Sequence, residues 1–249
     1  MSNAIVIIPT YNEKENIGLI IEAVFSLPKD FDLLIVDDNS PDGTAEIVKN
    51  LQPNFNSSRE RLHLLQRQGK LGLGTAYITG FKYALDKGYE YMLEMDADFS
   101  HDPNDLVHLY LACSEGGNDM AVGSRYVTGV NVVNWPIGRV LLSYFASAYV
   151  RVVTRMPIRD ATAGFVCYKK EVLSTIPLDK VKFTGYGFQI EMKFLVWKYK
   201  FNIIEVPIIF TERVRGQSKL SAGIFKEAFF GVMQLTIGSW FKRYPKRSL

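Results

Sequence analysis

Short apolar, β-branched runs alternate along the chain with stretches in which apolar positions recur every three or four residues. Ala4–Ile8 is the first such run, stopped by Pro9. An unbroken apolar run predicts a strand buried on both faces, as in a parallel sheet. Ile17, Ile20, Ile21, Val24 and Phe25 then share one helix face, with Asn12 as the expected cap and Glu15 three residues on. Leu33–Val36 predicts a second buried strand, closed by Asp37-Asp38-Asn39-Ser40, and the Pro41-Asp42-Gly43 turn leads into a helix over Thr44–Leu51. After a polar loop over Pro53–Glu60, the pattern predicts a strand at Leu62–Leu65 and a helix over Ala76–Lys87. A strand over Tyr91–Asp98, a helix from Pro103 to about Ser114 and a strand at Met120–Gly123 follow. This alternation predicts a doubly wound α/β fold, its mostly parallel strands carrying functional groups at their C-terminal ends.

The pattern changes after Arg125. Val140–Met156 predicts a helix whose apolar and aromatic residues are interleaved with basic ones only, Arg151 and Arg155 within it and Arg139 just before. It fits an interfacial helix and a buried crossover helix equally well. Asp160–Lys169 reads as loop and strand, Gly187–Tyr199 as a helix, and Ile203–Phe210, interrupted by Pro207, as an edge strand. Arg213–Ser221 reads as a charged loop. Phe225–Trp240 reads as a last helix, ending in aromatic and basic residues that suit a membrane surface. The uncharged run Ala228–Phe241 has 14 residues, short of the roughly 20 that span a bilayer, so no transmembrane helix is expected. Met1–Asn12 lacks the form of a secretory signal. Without repeats or linkers, residues 1–221 are expected to form one domain, with 222–249 an amphipathic interface helix and basic tail of the same unit.

A content of 47% apolar and 22% charged residues is that of an ordered globular chain. Cys113 and Cys167 match no metal or redox spacing and are expected to be reduced core residues of a cytosolic protein. The charge is divided. Residues 1–124 hold 9 Lys and Arg against 19 Asp and Glu, whereas residues 125–249 hold 20 against 7. From Arg125 to Arg159 there are five arginines and no acid. A basic half calls for an anionic partner. Nucleic acid is the weaker candidate, because the aromatic residues lie inside apolar helices and not on an exposed stacking platform.

Asp96 and Asp98 end the fourth predicted strand. If the strand runs through them, period-two alternation turns both carboxylates to one face. Two such carboxylates suit a hard divalent cation that keeps substrate phosphate oxygens as further ligands. A solvated, acid-rich strand end is the alternative. Gln68–Thr75 is glycine-rich but departs from the phosphate-binding G-x-x-x-x-G-K-[ST] order, and a tight strand–helix connection fits better. Pro9-Thr10-Tyr11-Asn12 stands where a dinucleotide fold would carry its glycine fingerprint.

The motifs Ile7-Ile8-Pro9-Thr10-Tyr11-Asn12-Glu13, Val36-Asp37-Asp38-Asn39-Ser40-Pro41-Asp42-Gly43-Thr44, Met95-Asp96-Ala97-Asp98-Phe99-Ser100-His101 and Gly123-Ser124-Arg125-Tyr126 occur in that order. Together they resemble the inverting family 2 glycosyltransferases with the GT-A fold. With Glu205-Val206-Pro207-Ile208 and Arg213–Leu220, the chain looks like the dolichol-phosphate mannose synthases within them. The resemblance implies a peripheral enzyme at the cytosolic membrane face, transferring mannose from GDP-mannose to a polyprenyl monophosphate with Mg²⁺ or Mn²⁺. It puts Pro9, Tyr11 and Glu13 at the base and ribose, and Val36 and Asp38 at the base edge. Asp96, Ala97 and Asp98 fall at the donor diphosphate, with Asp96, Asp98 and Ser100 as metal ligands. Arg213 and Lys219 close over the diphosphate, and Arg125, Arg139 and Ser143 take the acceptor phosphate. Asp98, Arg125 and Arg139 are then the residues central to catalysis. Asp160 and Glu191 stand between sugar contacts and capping. The short C-terminus implies docking through its two apolar helices or help from a small membrane-anchoring partner. A UDP-sugar donor such as UDP-glucose, or a nucleotide-binding membrane protein without activity, are the alternatives.

Overall fold

The computed structural model describes residues 2–185, 187–213 and 222–245, leaving aside the side chains of 222–229. Strand and helix alternate through β1 (Ala4–Thr10), α1 (Ile17–Phe25), β2 (Asp32–Asp37), α2 (Thr44–Phe55), β3 (Leu62–Gln66), α3 (Leu73–Asp86), β4 (Tyr91–Glu94), α4 (Asp105–Ser114) and β5 (Met120–Ser124). Next come β6 (Val132–Val133), α5 (Ile137–Thr154), β7 (Val166–Lys169), α6 (Lys170–Thr175), α7 (Gly187–Lys198), β8 (Ile203–Pro207), β9 (Phe210–Thr211) and α8 (Ala222–Trp240). The seven-stranded sheet has the order β3-β2-β1-β4-β7-β5-β8, and β6 pairs with β9 apart from it.

The central strands are apolar because helices cover both sheet faces. Ile5 and Ile7 of β1 pack in one core cluster with Tyr77 and Phe81 of α3. Val6 and Ile8 point the other way, to Ile17, Ile20 and Leu106. Gly80 lets α3 close on the sheet, since a Cβ there would stand 2.6 Å from Ile7 Cγ2.

Several boundaries depart from the sequence pattern. Asn12 does not cap α1. It takes φ +57° and its N–H donates to Ser40 Oγ at 3.0 Å, while Asn16 precedes the helix. Helix α2 runs through Pro53 to Phe55, where Phe55 stacks on Phe25 with centroids 4.4 Å apart. Strand β4 stops at Glu94, because its ladders with β1 and β7 end there.

The main topological surprise is β7, which runs antiparallel between β4 and β5. The chain leaves β5 at the C-terminal edge of the sheet and stays above that edge through α5. Its next strand therefore starts at the top and runs down. This makes α5 a roof over the strand ends and not a crossover between parallel strands. Only Ser147, Val150 and Thr154 of α5 are buried, and Ile137, Leu141, Leu142, Phe145 and Val152 are exposed. Helix α8 packs against α5 and α7, Val232 joining Val150, Ile190 and Phe194.

Candidate active site

Two loops at the ends of β1 and β2 are stitched together. Asp37 accepts from Thr10 Oγ1 (2.9 Å), Ser40 N–H (2.9 Å) and Ser40 Oγ (2.6 Å). Asp42 accepts from the N–H groups of Lys14 and Thr44, and Thr44 Oγ1 accepts from Glu13 N–H at 3.0 Å. Tyr11 and Glu13 are thus held by the loop that carries Asp38, and Lys70 Nζ lies 5.0 Å from the Tyr11 ring centroid. Pro9 pairs with Val36 across the β1–β2 ladder, and Val36 is fully buried in the core below. Asp38 is not a bare acceptor. Arg67 Nε donates to its Oδ1 at 2.6 Å, and Arg67 Nη1 reaches Thr75 Oγ1 at 2.7 Å. Burial pushes the Asp38 carboxyl up, against the pull of Arg67.

Beyond Glu94 the chain leaves the sheet, so Asp96 and Asp98 do not share a strand face. Phe99 takes φ +59°, a conformation unusual for a bulky residue, and turns the chain so that Ser100 N–H donates to Asp98 Oδ1 at 3.0 Å. Asp98 is buried, while the Asp96 side chain is 40% exposed. Arg213 Nη2 lies 2.8 Å from Asp98 Oδ2. Among the described residues no three His, Cys, Asp or Glu converge as a metal cluster. Two oriented, hard carboxylates nevertheless fit a divalent cation that takes its remaining ligands from a bound diphosphate.

A cavity of about 490 Å³ unites half of the predicted residues. Asp96, Asp98, Ser100, Arg125, Arg139, Ser143 and Arg213 all line it. Pro9, Tyr11, Glu13, Val36, Asp38 and Ala97 do not, and Lys219 lies outside the described residues. Arg139 and Ser143 sit one helical turn apart on α5. The Arg139 guanidinium lies 4.2 Å from the Trp135 ring centroid and also contacts Glu212. Ser143 Oγ accepts from Tyr126 Oη at 2.8 Å.

Arg125 is committed inward. Its Nε and Nη2 donate to the two oxygens of Asp160, each at 2.7 Å, and its N–H donates to the same carboxylate. Burial alone would lift the Asp160 carboxyl, but the Arg125 charge and hydrogen bonds outweigh it and hold it below the ordinary range. The Arg125 guanidinium also packs 5.5 Å from the Phe210 ring and 5.6 Å from the Trp135 ring. Of the two acids left open between sugar contact and capping, Asp160 therefore orients Arg125. Glu191 accepts the N–H groups of Lys182 and Phe183 at 2.8 and 2.9 Å and so ties the loop before α7 to that helix.

Among the lining residues without a role in the sequence reading are His101, Trp135 and Gln189. His101 stacks on Phe165 at 4.6 Å, and burial pushes its imidazole down to about 4, so it is neutral at neutral pH. Among the described residues its Nδ1 has no hydrogen-bond partner, and it lies 4.0 Å from Asp96 Oδ2. His101 stands inside the Asp96–His101 motif, and that adjacency was the signal for it. Trp135 and Gln189 reach the cavity only through the fold.

Acidic groups on the loops after β2 and β4 therefore face basic groups of α5 and of the segment after β9, above the C-terminal edge of a mostly parallel sheet. Residues 5–176 match the family described as glycosyl transferase family 2, and the chain belongs to it. It is 44% identical over 230 residues to a polyprenol monophosphomannose synthase of Mycolicibacterium smegmatis, covering 92% of this chain and 85% of that one. It is 42% identical over 226 residues to an undecaprenyl-phosphate mannosyltransferase of Micrococcus luteus, covering 91% and 90%. The fold matches glucosyl-3-phosphoglycerate synthase from Mycobacterium tuberculosis, solved with Mn²⁺, UDP and phosphoglyceric acid. That match has TM-score 0.66 and 16% identity, over 99% of this chain and 80% of that one. A second structure of that enzyme, with Mg²⁺ and UDP, gives TM-score 0.65 and 16% identity, over 94% and 78%.

Proposed function

We propose that this enzyme transfers mannose from GDP-mannose to a polyprenyl monophosphate, inverting the anomeric centre and using Mg²⁺ or Mn²⁺. One observation carries this reading: a single cavity is lined by Asp96 and Asp98, by Arg139 and Ser143, and by the apolar Leu142, Phe145 and Tyr149 of α5 and Val232 of α8. A phosphate head and an apolar tail would suit that combination of surfaces. The names of both curated relatives favour the same acceptor class.

Asp96 and Asp98 would hold the cation, with the Ser100 N–H fixing the Asp98 carboxylate. Bound there, the cation supplies charge compensation for the departing nucleoside diphosphate. Arg213, beside Asp98, would contribute to the same end. Arg139, with its planar fork, would take the acceptor phosphate, and Ser143 would donate to it. Arg125 would shape this subsite from behind, its direction set by Asp160. Among the described residues the only acids lining the cavity are Asp96 and Asp98. A separate base is unnecessary, because a phosphate monoester with a pKa near ~6 is already largely dianionic at neutral pH. Positioning replaces deprotonation. The exposed apolar residues of α5, with Phe230, Ile237, Trp240 and Phe241 at the other end, would rest on the cytosolic membrane face. No helix among the described residues is long and apolar enough to cross a membrane.

The test is to incubate the purified protein with Mn²⁺, a polyprenyl phosphate and a panel of labelled nucleotide sugars. Label from GDP-mannose should enter the organic phase. Transfer from a UDP-sugar alone would overturn the donor assignment.

A further inference from the structure

Gln189 of α7 is 98% buried, yet it lines the cavity beside Ala163 and Gly164. Its Nε2 donates to Glu94 Oε2 at 2.8 Å. Lys193 Nζ donates to its Oε1 at 3.3 Å and to the Ala163 carbonyl at 2.5 Å. Glu94 and Lys193 are both fully buried. An ammonium can only donate, so Lys193 fixes Oε1 as the accepting end of the amide and Nε2 as the end that faces Glu94. One Nε2 hydrogen goes to Glu94, and the other meets no acceptor among the described residues. Gly164 leaves room on that nitrogen, since a Cβ there would stand 3.7 Å from Nε2.

Among the described residues Glu94 and Lys193 make no ion pair within 4.0 Å, and Gln189 bridges them. The amide is held at the cavity wall, with Asp96 two residues along the chain from its Glu94 partner.

We propose that Gln189 is a sugar-recognising residue: its carboxamide, oriented by Glu94 and Lys193, donates Nε2–H to a hydroxyl oxygen of the hexosyl group of the donor. Glu94 and Lys193 are positioning residues for it. This rests on the glycosyl-donor reading above. A fixed amide needs no reorganisation when the sugar binds, and a site built around one hydroxyl discriminates strongly against sugars that lack it.

The experiment compares wild type, Gln189→Leu and Gly164→Ala, using the nucleotide sugar that wild type transfers, its nucleoside diphosphate, and monodeoxy sugar analogues, all with Mn²⁺. In Gln189→Leu the ratio of sugar-nucleotide Kd to nucleoside-diphosphate Kd should rise about tenfold or more, the scale of one lost buried hydrogen bond. Gly164→Ala meets only ordinary contacts and should fold normally; its ratio should rise a few-fold. One deoxy analogue should be discriminated by wild type and no longer by Gln189→Leu. An unchanged ratio in both variants, or losses that multiply for every analogue, would overturn the inference and leave the glycosyl-donor reading intact. A wild type that transfers sugar from no donor would overturn both.

Discussion

Arg213 Nη2 lies 2.8 Å from Asp98 Oδ2, so the basic residue after β9 closes onto the acid after β4. The β6–β9 pair makes this possible, since the Thr211 N–H donates to the Ser100 carbonyl at 3.1 Å and pins the approach of Arg213. Arg213 and a divalent cation therefore compete for one carboxylate oxygen, and a bound diphosphate would let both stay. Without donor, Arg213→Ala should bind Mn²⁺ about threefold more tightly, the scale of a partly exposed ion pair. The same variant should raise donor KM about tenfold through loss of one charge-assisted hydrogen bond. Calorimetry with Mn²⁺ alone and steady-state kinetics check the two halves, and weaker Mn²⁺ binding in the variant would contradict the competition.

The two arginines of the basic side should separate by stability. Arg125 and Asp160 form a buried, doubly hydrogen-bonded pair, whereas Arg139 is partly exposed. Asp160→Asn leaves a buried cation without its counter-charge and should cost about 3 kcal/mol or more of folding stability. Arg139→Ala should leave the unfolding midpoint nearly unchanged and raise acceptor KM. Denaturant titrations and acceptor kinetics distinguish them, and equal destabilisation by both substitutions would contradict the division.

The strand–helix alternation up to Ser124 was legible because buried parallel strands leave unbroken apolar runs, and the acids at β2 and β4 followed from where such sheets place their ligands. The antiparallel entry of β7 was not legible. Val166–Lys169 carries no local mark of direction; its direction follows from the path of residues 126–165 above the sheet edge. The end of β4 was misplaced for a similar reason, since β4 stops where its ladders with β1 and β7 stop, and its own residues do not mark that point. Within the site, the Asp96-Ala97-Asp98 motif was readable as a unit. The partners of its basic counterpart were not, because Arg125 meets Asp160, 35 positions further along the chain, only once the chain folds back. Arg67 at Asp38 and Gln189 between Glu94 and Lys193 are long-range pairings of the same kind.

Membrane docking should depend on the exposed face of α5. Ile137 and Phe145 are 79% and 62% exposed. Replacing both with Asp should remove most binding to vesicles that contain anionic lipid, without shifting the unfolding midpoint. Flotation of the wild type should weaken as salt screens the basic half. Undiminished flotation of the double variant would place the membrane contact elsewhere.

Acid should destabilise the fold through His63. Burial pushes this imidazole below its ordinary 6.5, against the pull of Glu60, and its Nδ1 lies 2.9 Å from Tyr83 Oη. The unfolded chain takes up a proton near pH 6.5 while the folded chain resists it, so the stabilisation is complete above that pH and is lost as pH falls below it. Urea midpoints should fall between pH 7.5 and 5.5 in the wild type and fall less in His63→Gln; parallel profiles would contradict this origin.

The most direct measurement of the central claim is the product itself. Wild-type protein, GDP-mannose, Mn²⁺ and a polyprenyl phosphate should give one lipid-linked β-mannosyl phosphate per GDP released, with the anomeric configuration read by NMR. EDTA or Asp98→Ala should abolish it in folded protein. An α-linked product, or full activity in EDTA, would contradict a metal-held donor attacked directly by the acceptor phosphate.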